Sequence, residues 1–289
     1  MPKIPLLTIP KNYRSQSRDT CVEVDFLQCS MWRQMSLIKK AELTIGITQG
    51  CRELTLQGIK NKYPQSTSEE QRLLYKKIIV GDHINSVIIN KKIEEDIMIG
   101  NPIELALLIA KILESLEIVY FVGGSIASSL WGESRATLDL DIVPDLTLEK
   151  IDNFIAKVEP LFYVNEEAVK QAIINKSCFN LIHFITSEKI DVFIPNQSSL
   201  IQTEIERRTL QQVEKNGNCL YLATPEDIIL QKLIWYRDGN RISERQWRDV
   251  LGVLKVQSTA LDLDYLRSWA KIENISDLLN QALLESGLS

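Results

Sequence analysis

The segment from Phe121 to Val143 constrains this chain most. It opens with Phe121-Val122-Gly123-Gly124-Ser125 and closes with Leu138-Asp139-Leu140-Asp141-Ile142-Val143. The pattern reads as a strand, a glycine turn, a helix over Ile126–Trp131 and a second strand. Backbone N–H groups at Gly124 and Ser125 would face an anion from a helix N-terminus, and glycine lets the backbone approach closely. Side-chain alternation on the second strand puts Asp139 and Asp141 on one face. A single neighbouring side chain cannot neutralise both carboxylates, whereas one or two hard cations such as Mg2+ (or Mn2+) could, with waters and phosphate oxygens as further ligands. Either half alone would read as an ordinary turn or a solvated strand face. Together, in this order, they point to a nucleotide-and-metal site.

The later chain adds candidates. Cys178–Thr186 and Lys189–Ile194, separated by Ser187-Glu188, read as an antiparallel hairpin. Asp191 stands there among Ile190, Val192, Phe193 and Ile194, where a bare carboxylate is costly to desolvate unless paired or metal-bound. It is the third candidate carboxylate, completing a metal site or taking the proton from an attacking hydroxyl. Lys189 shares its face and could pair with Asp191 or with phosphate. His183 reads as a satisfied edge histidine rather than a base. Thr224-Pro225-Glu226-Asp227 starts a helix, on which Lys232 either snorkels from among Ile229, Leu230, Leu233 and Ile234 or binds a triphosphate. Arg237, Arg241, Arg245 and Arg248 could hold a polyanionic acceptor or pair with Glu244 and Asp249.

On these residues the chain resembles the nucleotidyltransferase-fold superfamily and, within it, the abortive-infection (AbiEii/AbiGii) toxin-like nucleotidyltransferases. Gly123-Gly124-Ser125 through Arg135-Ala136-Thr137-Leu138-Asp139-Leu140-Asp141 looks like the family signature. Lys189-Ile190-Asp191 is similar to its later Lys-x-Asp, and Lys232 to a lysine on the following helix. The last family motif is an Asp followed three residues later by another; Asp249 is present, but Gly252 holds the second position. The resemblance implies an α/β (α+β) mixed-sheet core and Mg2+ (or Mn2+) held by Asp139, Asp141 and Asp191. It places Gly123, Gly124, Ser125, Arg135, Thr137, Lys189 and Lys232 around an NTP. RNA, particularly a tRNA 3′ end, is one implied acceptor; small molecules and protein hydroxyls serve elsewhere in the superfamily. A degenerate transferase that only binds a nucleotide or a protein is the alternative.

Before residue 100 the pattern is helical. Val22, Phe26, Cys29 and Trp32 make one face, Ser36 caps a long helix through Ile59, and Ser66-Thr67-Ser68-Glu69-Glu70 starts another through Val80. Gly58-Ile59-Lys60-Asn61-Lys62-Tyr63-Pro64 resembles an element of a short helical protein often encoded beside such enzymes. This front part would then be a tethered regulator of toxin-antitoxin type touching the catalytic core, or simply a structural extension. The expected organisation is an irregular arm over 1–19, a separate helical unit over 20–82, a linker over 83–100, a nucleotidyltransferase core over 101–222 and a helical lobe over 223–289.

Charge divides along the same boundary. Residues 1–100 carry 15 Lys/Arg against 11 Asp/Glu, and the remainder 18 against 27. The acidic catalytic part argues mildly against a broad RNA surface, which needs clustered basic residues. Five cysteines without C-x-x-C pairing and two histidines make zinc and disulfide frameworks unlikely candidates and suit a reducing cytoplasm. No stretch is apolar for long enough to suggest a signal peptide or a membrane span.

Overall fold

The structure, a computed structural model, describes residues 8–81, 99–196 and 198–288. The linker expected over 83–100 therefore lies outside the described residues except for Ile99 and Gly100. The described residues form a mixed α/β protein with twelve α-helices and one seven-stranded sheet.

Helix starts follow local capping chemistry. The side chain of Ser36 accepts from Lys39 N–H ahead of α2 (Leu37–Lys62), which follows α1 (Val22–Gln34). Thr67 and Glu70 form a reciprocal capping box at α3 (Ser68–Val80). Asn101 caps α4 (Pro102–Ser115), with Pro102 in the first turn, where its missing N–H goes unneeded.

Next come β1 (Tyr120–Val122), α5 (Gly124–Trp131), β2 (Asp139–Pro144), α6 (Ile151–Val158), β3 (Phe162–Tyr163) and α7 (Glu166–Asn175). They are followed by β4 (Cys178–His183), β5 (Lys189–Phe193), α8 (Ser199–Arg207), β6 (Thr209–Gln212) and β7 (Cys219–Leu222). Four helices close the chain: α9 (Pro225–Asp238), α10 (Glu244–Gln257), α11 (Leu263–Ile272) and α12 (Ser276–Glu285). The β4–β5 hairpin forms as expected, but β4 ends at His183 and the connecting turn starts there. The reason is a backbone closure: Ser187 N–H donates to His183 O at 2.9 Å. A 3-10 turn over Leu148–Lys150 precedes α6.

The sheet order is β3-β4-β5-β2-β1-β7-β6, with β2 parallel to β5, β1 parallel to β7, and the remaining neighbours antiparallel. Alternation sorts the strand residues between two cores. Val122, Leu140, Ile142, Ile190 and Val192 join the cluster that includes α4, α6 and α7 residues. Phe121 and Val143 join the cluster built from α5, α9, α10, α11 and α12, and Phe193 packs against it. Asp139, Asp141, Lys189 and Asp191 have this second parity, so the carboxylates lie on the sheet face toward the C-terminal helices.

The front helices dock on the body through buried polar ties. Arg52 of α2 is ion-paired with Glu188, both nearly inaccessible, and donates to Gly100 O at 3.2 Å. Glycine at 100 leaves room for that carboxyl: a Cβ there would lie 2.1 Å from it, and the Glu188 side chain would have to shift. At the other end Lys255 of α10 reaches Asp25 of α1 at 2.8 Å, and Tyr13 donates to the same carboxylate at 2.6 Å.

Candidate active site

Two short parallel strands assemble the site. Their register pairs Asp139 with Lys189 and Asp141 with Asp191 across β2 and β5, so residues about fifty apart in sequence become lateral neighbours on one face. Lys189 lies between the acids, its Nζ 3.0 Å from Asp191 and 3.5 Å from Asp139. Burial opposes its charge, but the Asp191 hydrogen bond and both acidic neighbours outweigh that and raise its pKa.

Asp141 is held differently. Its Oδ2 accepts the Ser125 N–H at 3.2 Å, at the N-terminus of α5. Gly124 adopts φ +53°, and a Cβ on it would lie 1.7 Å from Asp141 Oδ2. Only glycine serves there, both for the left-handed backbone and for the close approach. In the structure the Ser125 amide at this helix N-terminus is taken by the chain's own Asp141 carboxylate. Burial, reinforced by the charges of Asp191 and Asp139, pushes the Asp141 carboxyl up to about 6 despite that hydrogen bond.

The two remaining cations converge on Asp249. Arg135 donates to it through Nε at 2.7 Å and Nη2 at 2.8 Å, and Nη2 also donates to Ser125 Oγ at 2.9 Å. Lys232, nearly wholly buried, places Nζ 2.9 Å from Asp249 Oδ2. Burial works against the Asp249 charge, yet the Arg135 hydrogen bonds and the Lys232 charge hold its carboxyl below the usual range. Asp249 therefore fixes both cations beside the turn without a second acid at Gly252. That glycine sits under the loop after α5: a Cβ would lie 3.3 Å from Gln16 Nε2 and 3.6 Å from Glu133 N. Thr137 stiffens the approach to β2, its Oγ1 donating to Asp139 O at 2.9 Å while its N–H donates to Thr48 Oγ1 of α2 at 3.2 Å.

Gly123, Gly124, Ser125, Arg135, Asp139, Asp141, Lys189, Asp191 and Lys232 thus surround the β1–α5 turn and the adjoining ends of β2 and β5. His183 is not among them: its Nδ1 lies 2.9 Å from Thr186 Oγ1 and its ring packs on Phe162. Most of the arginines considered for an acceptor are engaged, Arg237 with Asp238, Arg241 with Asp277 and Arg248 with Glu133.

The donor set suits a hard divalent cation, with three carboxylates of matched face and register against one ammonium. As the side chains stand, no three acidic, imidazole or thiol groups among the described residues converge on one point. Asp139 and Asp191 are turned to Lys189 and Asp141 to Ser125.

A cavity of about 320 Å3 adjoins Asp141 and Gly124, walled by Phe193, Leu200, Ile234 and Trp235. Glu204 and Gln231 also line it. Nothing in the sequence reading singled out α8 or Glu204.

No protein-family model and no curated protein matches the chain. Two of several similar solved structures define the likeness. One is the crystal structure of an antigenic nucleotidyltransferase-like protein from Paracoccidioides brasiliensis, 19% identical over 64% of this chain and 93% of that one, TM-score 0.39. The other is the solution structure of the antibiotic-resistance factor ANT(2'')-Ia, 14% identical over 62% of this chain and 97% of that one, TM-score 0.38. Likeness at this level carries nothing about substrate. Among the described residues no helix is long and apolar enough to cross a membrane.

Proposed function

We propose that this protein is a nucleotidyltransferase that moves an NMP from an NTP to an acceptor hydroxyl. The observation that carries the reading is the β2–β5 register, which aligns Asp139, Asp141 and Asp191 beside the Gly124–Ser125 helix start.

Asp139 and Asp141, with Asp191, would hold Mg2+ or Mn2+, which when bound supplies charge neutralisation at the reacting phosphate. Ser125 accepts from Arg135, leaving its own O–H to donate to a phosphate oxygen. Lys232 and Arg135, oriented by Asp249, add positive charge next to that hydroxyl. The acceptor oxygen attacks the α-phosphorus as the bond to the bridging oxygen breaks, and pyrophosphate leaves. Asp191 takes the hydroxyl proton, which requires it to be released from Lys189.

RNA is one acceptor compatible with this reading. Arg245 and Arg248 line a cavity of about 340 Å3 with Arg135, next to the proposed phosphate groups, but the acids Glu133, Glu244 and Asp249 line it too. The front helices brace the same site: Lys40 Nζ donates to Trp131 O at 3.3 Å, Ser134 Oγ donates to Lys40 O at 3.1 Å, and Thr48 holds Thr137. That supports a regulatory role for them, of the toxin-antitoxin kind that the sequence resemblance implies.

The test is incubation of the chain with each α-labelled NTP, Mg2+ and total RNA, beside Asp139→Asn/Asp141→Asn. Label in RNA with wild type alone is the expected result. Equal labelling by the folded double variant would reject the carboxylate assignment.

A further inference from the structure

The cavity beside Asp141 contains a polar group that the proposed chemistry does not use. Glu204, on α8, is fully buried, and its Oε1 has no hydrogen-bond partner among the described residues. Its Oε2 accepts from Gln231 Nε2 at 2.6 Å. Both residues line the cavity, whose other walls combine Phe193, Leu200, Ile234 and Trp235 with the polar Asn196, Ser198 and Glu273. A buried polar atom left unpaired costs free energy in the free protein, and a ligand that pairs it recovers that cost.

We propose that this cavity holds the base of the nucleotide and that Glu204 is the residue that determines which base, selecting an amino-bearing base (adenine or cytosine) over a keto base (guanine or uracil). The inference rests on the nucleotidyltransferase reading and deepens it. Position supports it, because the cavity is continuous with Gly123, Gly124 and Asp141, where the phosphates would lie. The walls support it, because Trp235 and Phe193, with ring centroids 6.0 Å apart, offer flat faces to a heterocycle. Trp235 also lies beneath the Lys232 ammonium, 5.5 Å from its ring centroid, so one helix connects the base wall to the phosphate cations.

The selection follows from which oxygen is left unpaired: Gln231 occupies Oε2, and Oε1 has no partner among the described residues. Burial, with the neighbouring charge of Asp227, raises the Glu204 pKa well above the ordinary carboxylate range and so favours the protonated form. With Gln231 donating to Oε2, a proton on Glu204 would sit on Oε1, and a base edge that reaches it would have to accept that proton. Adenine and cytosine present a ring nitrogen beside an exocyclic amino group. The nitrogen accepts the acid O–H, and the amino group can donate to the Gln231 carbonyl oxygen. Guanine presents two adjacent donors, which suit an ionised carboxylate, and a keto base offers only a weaker carbonyl acceptor to the O–H. A site built to hydrogen-bond one edge discriminates strongly against an edge that leaves it unpaired.

The experiment is equilibrium binding of ATP, CTP, GTP and UTP, each with Mg2+, to the full chain and to Glu204→Gln and Glu204→Leu, with thermal melting to verify folding. Wild type is expected to bind ATP or CTP at least about tenfold tighter than GTP and UTP. Glu204→Gln, neutral and able to donate in the same place, should keep that ratio within about threefold. Glu204→Leu should bring all four dissociation constants within about threefold of one another. A wild-type preference for GTP or UTP, loss of the ratio in Glu204→Gln, or its survival in folded Glu204→Leu would overturn the assignment while leaving nucleotide binding intact. Failure of wild type to bind any of the four would overturn the nucleotidyltransferase reading as well. Should the leucine variant not fold, the wild-type ratio and the glutamine variant decide.

Discussion

A Cβ placed on Gly124 would lie 1.7 Å from Oδ2 of Asp141, with φ at +53°. The glycine turn and the second carboxylate are therefore a single packed unit, and the Ser125 amide closes it. Gly124→Ala should lose at least about 1–2 kcal/mol from the left-handed backbone alone, and it should displace Asp141 as well. Urea unfolding and the labelling assay check both effects. A variant within about 0.5 kcal/mol of wild type with full turnover would show that the turn relaxes freely.

Lys189 acts as the site's internal counterion, and any external cation must compete with it. Lys189→Met leaves Asp139 and Asp191 without their ammonium, beside Asp141, and should destabilise the metal-free chain through like-charge repulsion. Added Mg2+ or Mn2+ should then raise the melting temperature more in the variant than in wild type, since a ligand stabilises the state that binds it. An equal or smaller rise in Lys189→Met would argue against cation binding by these carboxylates.

The elements that could be read from sequence are those whose signals are local. Ser36, Thr67, Asn101 and Thr224 mark helix starts because each side chain satisfies an amide two or three residues on. The β1–α5–β2 unit was readable because its glycines and alternating aspartates lie within one short stretch. The β6–β7 hairpin was not: its strands have four residues each, and Leu210 faces outward, so the usual alternation signal is weak. Glu204 looks like any polar residue on an amphipathic helix, and only the packing of α8 over the cavity reveals it as buried. The Arg52–Glu188 pair spans 136 residues, and nothing local announces it. Lys232 and Asp249 were each visible as candidates, but their mutual contact depends on how α9 and α10 pack.

Removing Asp249 strands two cations. Asp249→Asn leaves buried Lys232 and half-buried Arg135 without their carboxylate, and breaking a buried pair typically costs about 3–5 kcal/mol, here reduced by the exposure of Arg135. The pH sign follows from the depressed folded pKa. The Asp249 contribution is fully present above the unfolded carboxylate value of about 3.9 and is lost as pH falls through the lower folded value. Wild type should therefore lose more stability than Asp249→Asn on acidification below about pH 4. Parallel losses in urea titrations across that range would show that Asp249 is not held ionised by its partners.

Lys40 provides the opposite case, a charge buried with little compensation. It is 4% exposed, its Nζ reaches only the Trp131 carbonyl among the described residues, at 3.3 Å, and burial pushes its pKa down to about 8. The unfolded chain keeps that proton up to about pH 10.4, so between the two values the unfolded state binds more protons and stability rises with pH. Below the folded value the full penalty is present. Lys40→Met should accordingly be more stable than wild type at pH 7 by about 1–3 kcal/mol, and the gap should close between pH 8 and pH 10. Urea unfolding of both proteins at pH 7 and pH 10 measures the gap. A difference of the same size at both values would place the cause in packing of the methionine, with no contribution from the buried charge.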